Sequence, residues 1–161
     1  MNKEEVKKHF INTSLKKSFN VNKESLRARL SSQSTSHQQN DNNLNELSKS
    51  NVENYLNALE IADKHYNISV SQGEVNEYIK DNISGIKSKE KEKYAKSIGI
   101  TEYQLDYAFD RDFYIMDTLW EKIIPVLMDE YPKEKNEADN DYYDRIKSEF
   151  YDNKISSENK S

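Results

Sequence analysis

The stretch "HYNISVSQGEVNEYI", His65–Ile79, stops one helical pattern and starts another within a few residues. Ser71 and Glu74 stand at the spacing of a capping box, in which the serine hydroxyl accepts the Glu74 N–H and the Glu74 carboxylate accepts the Ser71 N–H. Before them, the β-branched residues Ile68 and Val70 suit an extended connection, and after them Val75, Tyr78, Ile79 and Ile83 recur at helical spacing. The stretch predicts a joint at which the chain leaves one helix and begins another in a new direction.

Upstream of the joint, Val52, Tyr55, Leu56, Leu59, Ala62 and Tyr66 share one face of a helix beginning near Leu44 or Asn51 and ending at Tyr66. Further back, "SSQSTSHQQNDNN", Ser31–Asn43, has no apolar residue in thirteen positions. Such a run buries nothing to offset the entropy of ordering it, so a flexible linker is expected over 31–43. Ahead of it, Val6, Phe10, Ile11, Leu15 and Phe19 mark one amphipathic helix, and Leu26 and Leu30 a short second one. Residues 1–30 are thus expected to form an N-terminal helical arm.

Downstream, "KSKEKEKYAKSIG", Lys87–Gly99, reads as a helix with Gly99 as a left-handed C-terminal cap. "ITEYQ" follows at once, with Thr101 and Gln104 as a second capping box and Ile100 placed to staple onto Leu105. From Glu102 to about Met128 the pattern predicts the longest element, with Pro125 expected to kink or end it. On a wheel of ~100° per residue, Leu105, Ala108, Phe109, Phe113, Met116, Leu119, Trp120, Ile123 and Leu127 fall on one face. Tyr103, Tyr107 and Tyr114 fall near the opposite one. After the acidic "DEYPKEKNEADND", Tyr142, Tyr143, Ile146 and Phe150 mark a last helix. The expected division is a helical body over 44–152 and a disordered tail over 153–161.

Composition supports an all-α fold. Only 3 Gly and 2 Pro punctuate 161 residues, too few for the many turns of a sandwich or barrel. The apolar fraction is 34% and the charged fraction 33%, so the core has to be thin and carefully placed. A net charge of −5, with lysines interleaved among the acids, reads as a solvated helical surface. It offers no basic face for nucleic acid outside the first thirty residues, and no nucleic-acid partner is expected. With no cysteine, thiol nucleophiles, disulfide scaffolds and zinc ribbons are excluded. No window is apolar for long enough to be a membrane-spanning segment. Lys greatly exceeds Arg, and with the abundant Asn, Ile and Tyr this is the composition expected of an AT-rich bacterial genome.

Two ordered phrases also carry a family resemblance. "ADKHYNISVSQGEVNEYI", Ala62–Ile79, resembles the helix hand-over of SurA-like N-terminal domains. "IGITEYQLDYAFDRDFYIMDTLWEKII", Ile98–Ile124, resembles a later phrase of the same family, with Gly99, Ile100, Thr101, Leu105, Phe109, Arg111, Ile115 and Leu119 in the family's places. The resemblance spans about 51–131. It implies the helical chaperone domain of SurA, PrsA-like and trigger-factor-like proteins, with one long central helix, which holds unfolded polypeptides and usually accompanies a parvulin isomerase domain. The segment after 131 is shorter than a parvulin domain, so isomerase activity is not expected. A cell-envelope location is implied if a leader was trimmed, and a cytoplasmic one if Met1 is the true start.

No nucleophile, phosphate loop or metal signature accompanies these phrases, and no enzymatic activity, metal or cofactor is expected. None of His9, His37 and His65 has a second histidine or a cysteine at helical spacing, and no metal site is expected of them. Asp110 and Asp112 beside Arg111 read as solvated surface. The expected function is a peptide-binding, chaperone-like module using apolar and aromatic contacts, with Tyr103, Tyr107, Tyr114 and Trp120 as candidate contact residues. For the tyrosines the competing expectation is packing against a terminal helix, and Trp120 is expected chiefly in the core. The alternative function is an interaction module for one specific partner or for self-association.

Overall fold

The structure, a computed structural model, describes the backbone of residues 15–34 and 41–158 and the side chains of 15–31 and 43–152. After a single 3-10 turn at Leu15–Ser18 come α1 (Val21–Ser34), α2 (Asp41–Tyr66), α3 (Gln72–Asn82), α4 (Lys89–Ile98) and the one-turn α5 (Glu102–Gln104). A π-helical segment, Leu105–Phe109, leads into α6 (Arg111–Glu130), and α7 (Asp139–Glu158) closes the chain. The protein is all-α, with no strand among the described residues.

At the centre, α2, α6 and α7 pack pairwise, α3 lies on α6, and α1 lies along α2. Ile115, Leu119, Ile123 and Leu127 recur every fourth residue on α6, and all four are fully buried. Against them lie Ala58, Ile61 and Ala62 of α2, Val75 and Ile79 of α3, and Ile146 and Phe150 of α7. Each buried Leu, Ile or Phe contributes about 1.5–3 kcal/mol. A smaller cluster, Ala95, Ile98, Ile100, Leu105 and Phe109, sits between α4 and the π segment, covered in part by Leu26 and Leu30 of α1.

The joint at His65–Ile79 forms as its sequence dictates. Asn67 ends α2 in the left-handed region at φ 53°, a conformation Asn tolerates, and the Ile68 N–H reaches the Ala62 carbonyl at 2.9 Å. Ile68 and Val70 then pack on the main core. Both halves of the Ser71–Glu74 capping box are present. The Glu74 carboxylate also takes Lys122 of α6 at 2.7 Å, and that contact, ahead of the cap, holds Glu74 below the usual carboxylate range. Gly99, at φ 84°, closes α4 with the paired hydrogen bonds Ile100 N–H to Ala95 O and Gly99 N–H to Lys96 O. The Thr101–Gln104 box starts α5.

Several expectations need correction. The long helix over Glu102–Met128 is interrupted: the Asp110 N–H bonds the Leu105 carbonyl, five residues back, at 2.8 Å, and Asp110 sits at φ −93°, ψ 9°. This wider turn resets the faces of α6, leaving Phe113, placed on the core face by the wheel, 38% exposed. Pro125 does not end α6, which continues to Glu130. The polar run is helical at both ends, to Ser34 and from Asp41, because α1 and α2 pack along each other; residues 35–40 lie outside the described part. The described portion of the expected arm is not separate either, since Phe19 is buried in the main core. At the other end the backbone stays helical to Glu158. Val6, Phe10, Ile11, His9 and His37 fall outside the described residues.

Candidate functional site

Buried charge gathers around the π segment. Lys23 and Arg27 of α1 cross it and are buried, as are Asp106, Arg111 and Asp112. Arg27 forks onto Asp112, with Nη1 at 2.8 Å from Oδ1 and Nη2 in close contact with Oδ2, and Nη2 also pairs with Glu24. Its guanidinium lies 4.0 Å from the centre of the Phe113 ring, which explains how that exposed aromatic is partly covered. Asp110 receives Arg27 only at 3.5 Å. The Lys23 ammonium donates to the Ser18 carbonyl at 2.6 Å and lies 3.4 Å from Asp112.

Burial dominates the ionisation of this cluster. It lowers the Lys23 ammonium to about 8 against the pull of Asp112. Burial likewise raises the Asp110 carboxyl to about 6, with Arg27 opposing the rise. Arg27, held by Asp112 and Glu24 against its desolvation, is pushed up. Among the described residues Arg111 has no carboxylate partner. It donates instead to Gln72 Oε1 at 2.6 and 3.1 Å, to Asn76 Oδ1 at 2.8 Å and to the Tyr107 carbonyl at 3.3 Å, tying the start of α3 to the start of α6.

Beside the charge cluster lies an open pocket of about 370 Å³, within the size range of small-ligand and side-chain sites. Ile83, Ile86, Leu105, Tyr94 and Tyr114 form its apolar walls, and Asp106, Asp110, Glu90 and Lys91 carry its charges. Ile86 stands at the rim, 56% exposed. The Lys91 ammonium donates to the Ile83 and Ile86 carbonyls at 3.3 and 3.2 Å and to Asp106 at 2.7 Å. It thereby fixes the turn after α3 as one wall of the pocket. Tyr94 is half-buried, and its hydroxyl is pushed up by burial and by Asp110; Tyr114 is pushed up in the same way.

The four aromatic residues singled out from the sequence do not form one platform. Tyr103, 69% exposed, stacks on Tyr107 at 4.5 Å beside a smaller groove of about 250 Å³ lined also by Asn76, Glu77 and Lys80. Tyr114 lies across the π turn from them, in the larger pocket and 6.1 Å from the Tyr78 ring. Trp120 packs edge-on against Phe150 and Tyr151 with Lys147 over its ring, on the α7 side of α6. Sequence reasoning missed Tyr94, Leu105 and Asp106 as pocket residues, and it placed Asp112 on the solvated surface where the structure buries it. The missed signal is the pair Lys23 and Arg27, spaced one helical turn apart and opposite in charge to Asp110 and Asp112.

Among the described residues no group of three or more His, Asp or Glu is arranged to hold a metal ion, and no helix is long and apolar enough to cross a membrane. Compared with protein-family models, curated proteins and solved structures, the chain matches none.

Proposed function

We propose that the protein is a non-enzymatic, chaperone-like module that holds extended or unfolded polypeptide by its side chains. The observation that carries this reading is the open pocket of about 370 Å³ between α4, the π segment and α6, apolar in its walls and fixed in shape by Lys91. A pocket of that size takes one large side chain, and its open mouth, with Ile86 exposed at the rim, leaves the rest of a peptide free to run across the surface. The stacked Tyr103–Tyr107 pair, on the other side of the π turn, adds a second apolar contact for the same extended chain. The resemblance of 62–79 and 98–124 to SurA-like N-terminal phrases points the same way.

Titration of fluorescently labelled unfolded peptides, alongside light scattering of a denatured client, tests the proposal. Saturable peptide binding with suppressed aggregation is the expected result. Absence of both contradicts it, and a pull-down that returns one stoichiometric folded partner favours a dedicated interaction module instead.

A further inference from the structure

The pocket's charges define what kind of side chain it takes, an inference that rests on the peptide-binding reading above. Its three carboxylates, Glu90, Asp106 and Asp110, face a single pocket cation, Lys91. That ammonium has three donors, and all are occupied by Ile83 O, Ile86 O and Asp106. Behind the wall, Arg27 directs its fork to Asp112 and Glu24 and reaches Asp110 only at 3.5 Å. Counting the buried cluster together with the pocket, five carboxylates (Glu24, Glu90, Asp106, Asp110, Asp112) face four cations (Lys23, Arg27, Lys91 and Arg111), and Arg111 directs its donors to Gln72, Asn76 and Tyr107. Negative charge is left over, and it lies at Asp110 and at Glu90 on the rim.

A neutral apolar side chain closing over Asp110 would strip water from a carboxylate and return no hydrogen bond, which is unfavourable. An anionic one would meet the surplus carboxylates with no free donor from Lys91. An arginine or lysine side chain resolves both problems. Its methylene stem can lie along Ile83, Ile86 and Leu105 and its cation can meet Asp110 and Glu90, with Tyr94 and Tyr114 lining the same pocket. We infer that this pocket is a receptor for a basic side chain in an extended polypeptide, with Asp110 as its principal charge partner and Glu90 as the rim partner. The module would then select segments in which arginine or lysine sits among apolar residues, instead of apolar segments at large.

The test uses the whole chain and three short fluorescein-labelled peptides of identical apolar context, whose central residue is arginine, its neutral isostere citrulline, or glutamate. Fluorescence anisotropy is expected to show the citrulline peptide bound at least about ten-fold more weakly than the arginine peptide, and the glutamate peptide more weakly still. Asp110→Asn should bring the arginine-to-citrulline ratio close to one, and Glu90→Gln, at an exposed position, should reduce it in part. Should Asp110→Asn fail to fold, Glu90→Gln decides, because an unchanged ratio in that variant overturns the inference. Equal binding of all three peptides to the native chain overturns the inference while leaving peptide binding in place. Binding of none of them removes both.

Discussion

The two hydrophobic clusters of this protein are held together by different physics. Around α2, α3, α6 and α7 the interior is aliphatic and aromatic, with Ile79, Ile115, Leu119, Ile123, Ile146 and Phe150 fully buried. Around α4 and the π segment the apolar cluster is small, and buried charges complete it: Lys23, Arg27, Asp106 and Asp112. Apolar burial is non-directional and indifferent to pH, whereas a buried ion pair depends on geometry and on both partners staying charged. The candidate pocket lies at the second end. Binding sites are drawn from the less stable parts of a fold, and a small cluster closed by charge is such a part.

Removing one partner from the charged end is expected to have the largest effect. Arg27→Ala leaves Asp112 buried without its bidentate partner and should lower the unfolding free energy by about 3–5 kcal/mol, measured by denaturant titration. Pairing it with Asp112→Asn should recover part of that loss. If Arg27→Ala proves nearly neutral, the contrast between the two ends disappears.

Leu119→Ala, in the aliphatic end, should remove about 2–5 kcal/mol. Its loss should be nearly the same at acid and at neutral pH, because Leu119 is fully buried in the apolar cluster.

At the charged end two groups set the pH dependence, while Glu74, held low by Lys122, works in the opposite sense to Asp110. Asp110 has its pKa raised from 3.8 to about 6, so between those values the native state binds more protons than the unfolded one, and stability falls as pH rises through that window. Lys23 is lowered from 10.5 to about 8, so between about 8 and 10.5 the unfolded state binds more protons, and stability rises with pH. Both groups therefore oppose folding at neutral pH. Asp110→Asn is expected to flatten the acid limb of the stability profile and to raise stability at pH 7 by at most on the order of 3 kcal/mol. Thermal melts across pH 4 to 10 check it, and a variant that keeps the acid slope would show that other carboxylates set it.

The smallest effect expected is Ser71→Ala, which removes the hydroxyl that caps α3 and should cost about 1 kcal/mol. The Glu74–Lys122 pair is not directly altered, so Arg111 and Lys122 should still hold α3 against α6.

Local features were legible in the sequence because local chemistry determines them. The two capping boxes and the Gly99 cap depend on neighbours within a turn, and each formed where the spacing placed it. The π segment was not legible. A helical wheel assumes one continuous period, and the extra residue over Leu105–Phe109 broke that period, moving Phe113 toward solvent and separating Tyr114 from Tyr103 and Tyr107. The burial of Asp112 and Arg27 was hidden for another reason. Eighty-five positions separate these two residues, and only the crossing of α1 over the π segment makes them partners. Trp120, by contrast, lies half-buried against α7 at the edge of the main core.

The most direct test of the central claim is where a peptide lands. In an isotope-labelled sample titrated with an arginine-containing apolar peptide, NMR shift changes are expected at Ile83, Ile86, Tyr94, Leu105 and Tyr114, with Leu119 and Ile146 of the main core unmoved. No shift change, or changes confined to the α7 side of α6 near Trp120, would contradict a binding pocket between α4 and α6.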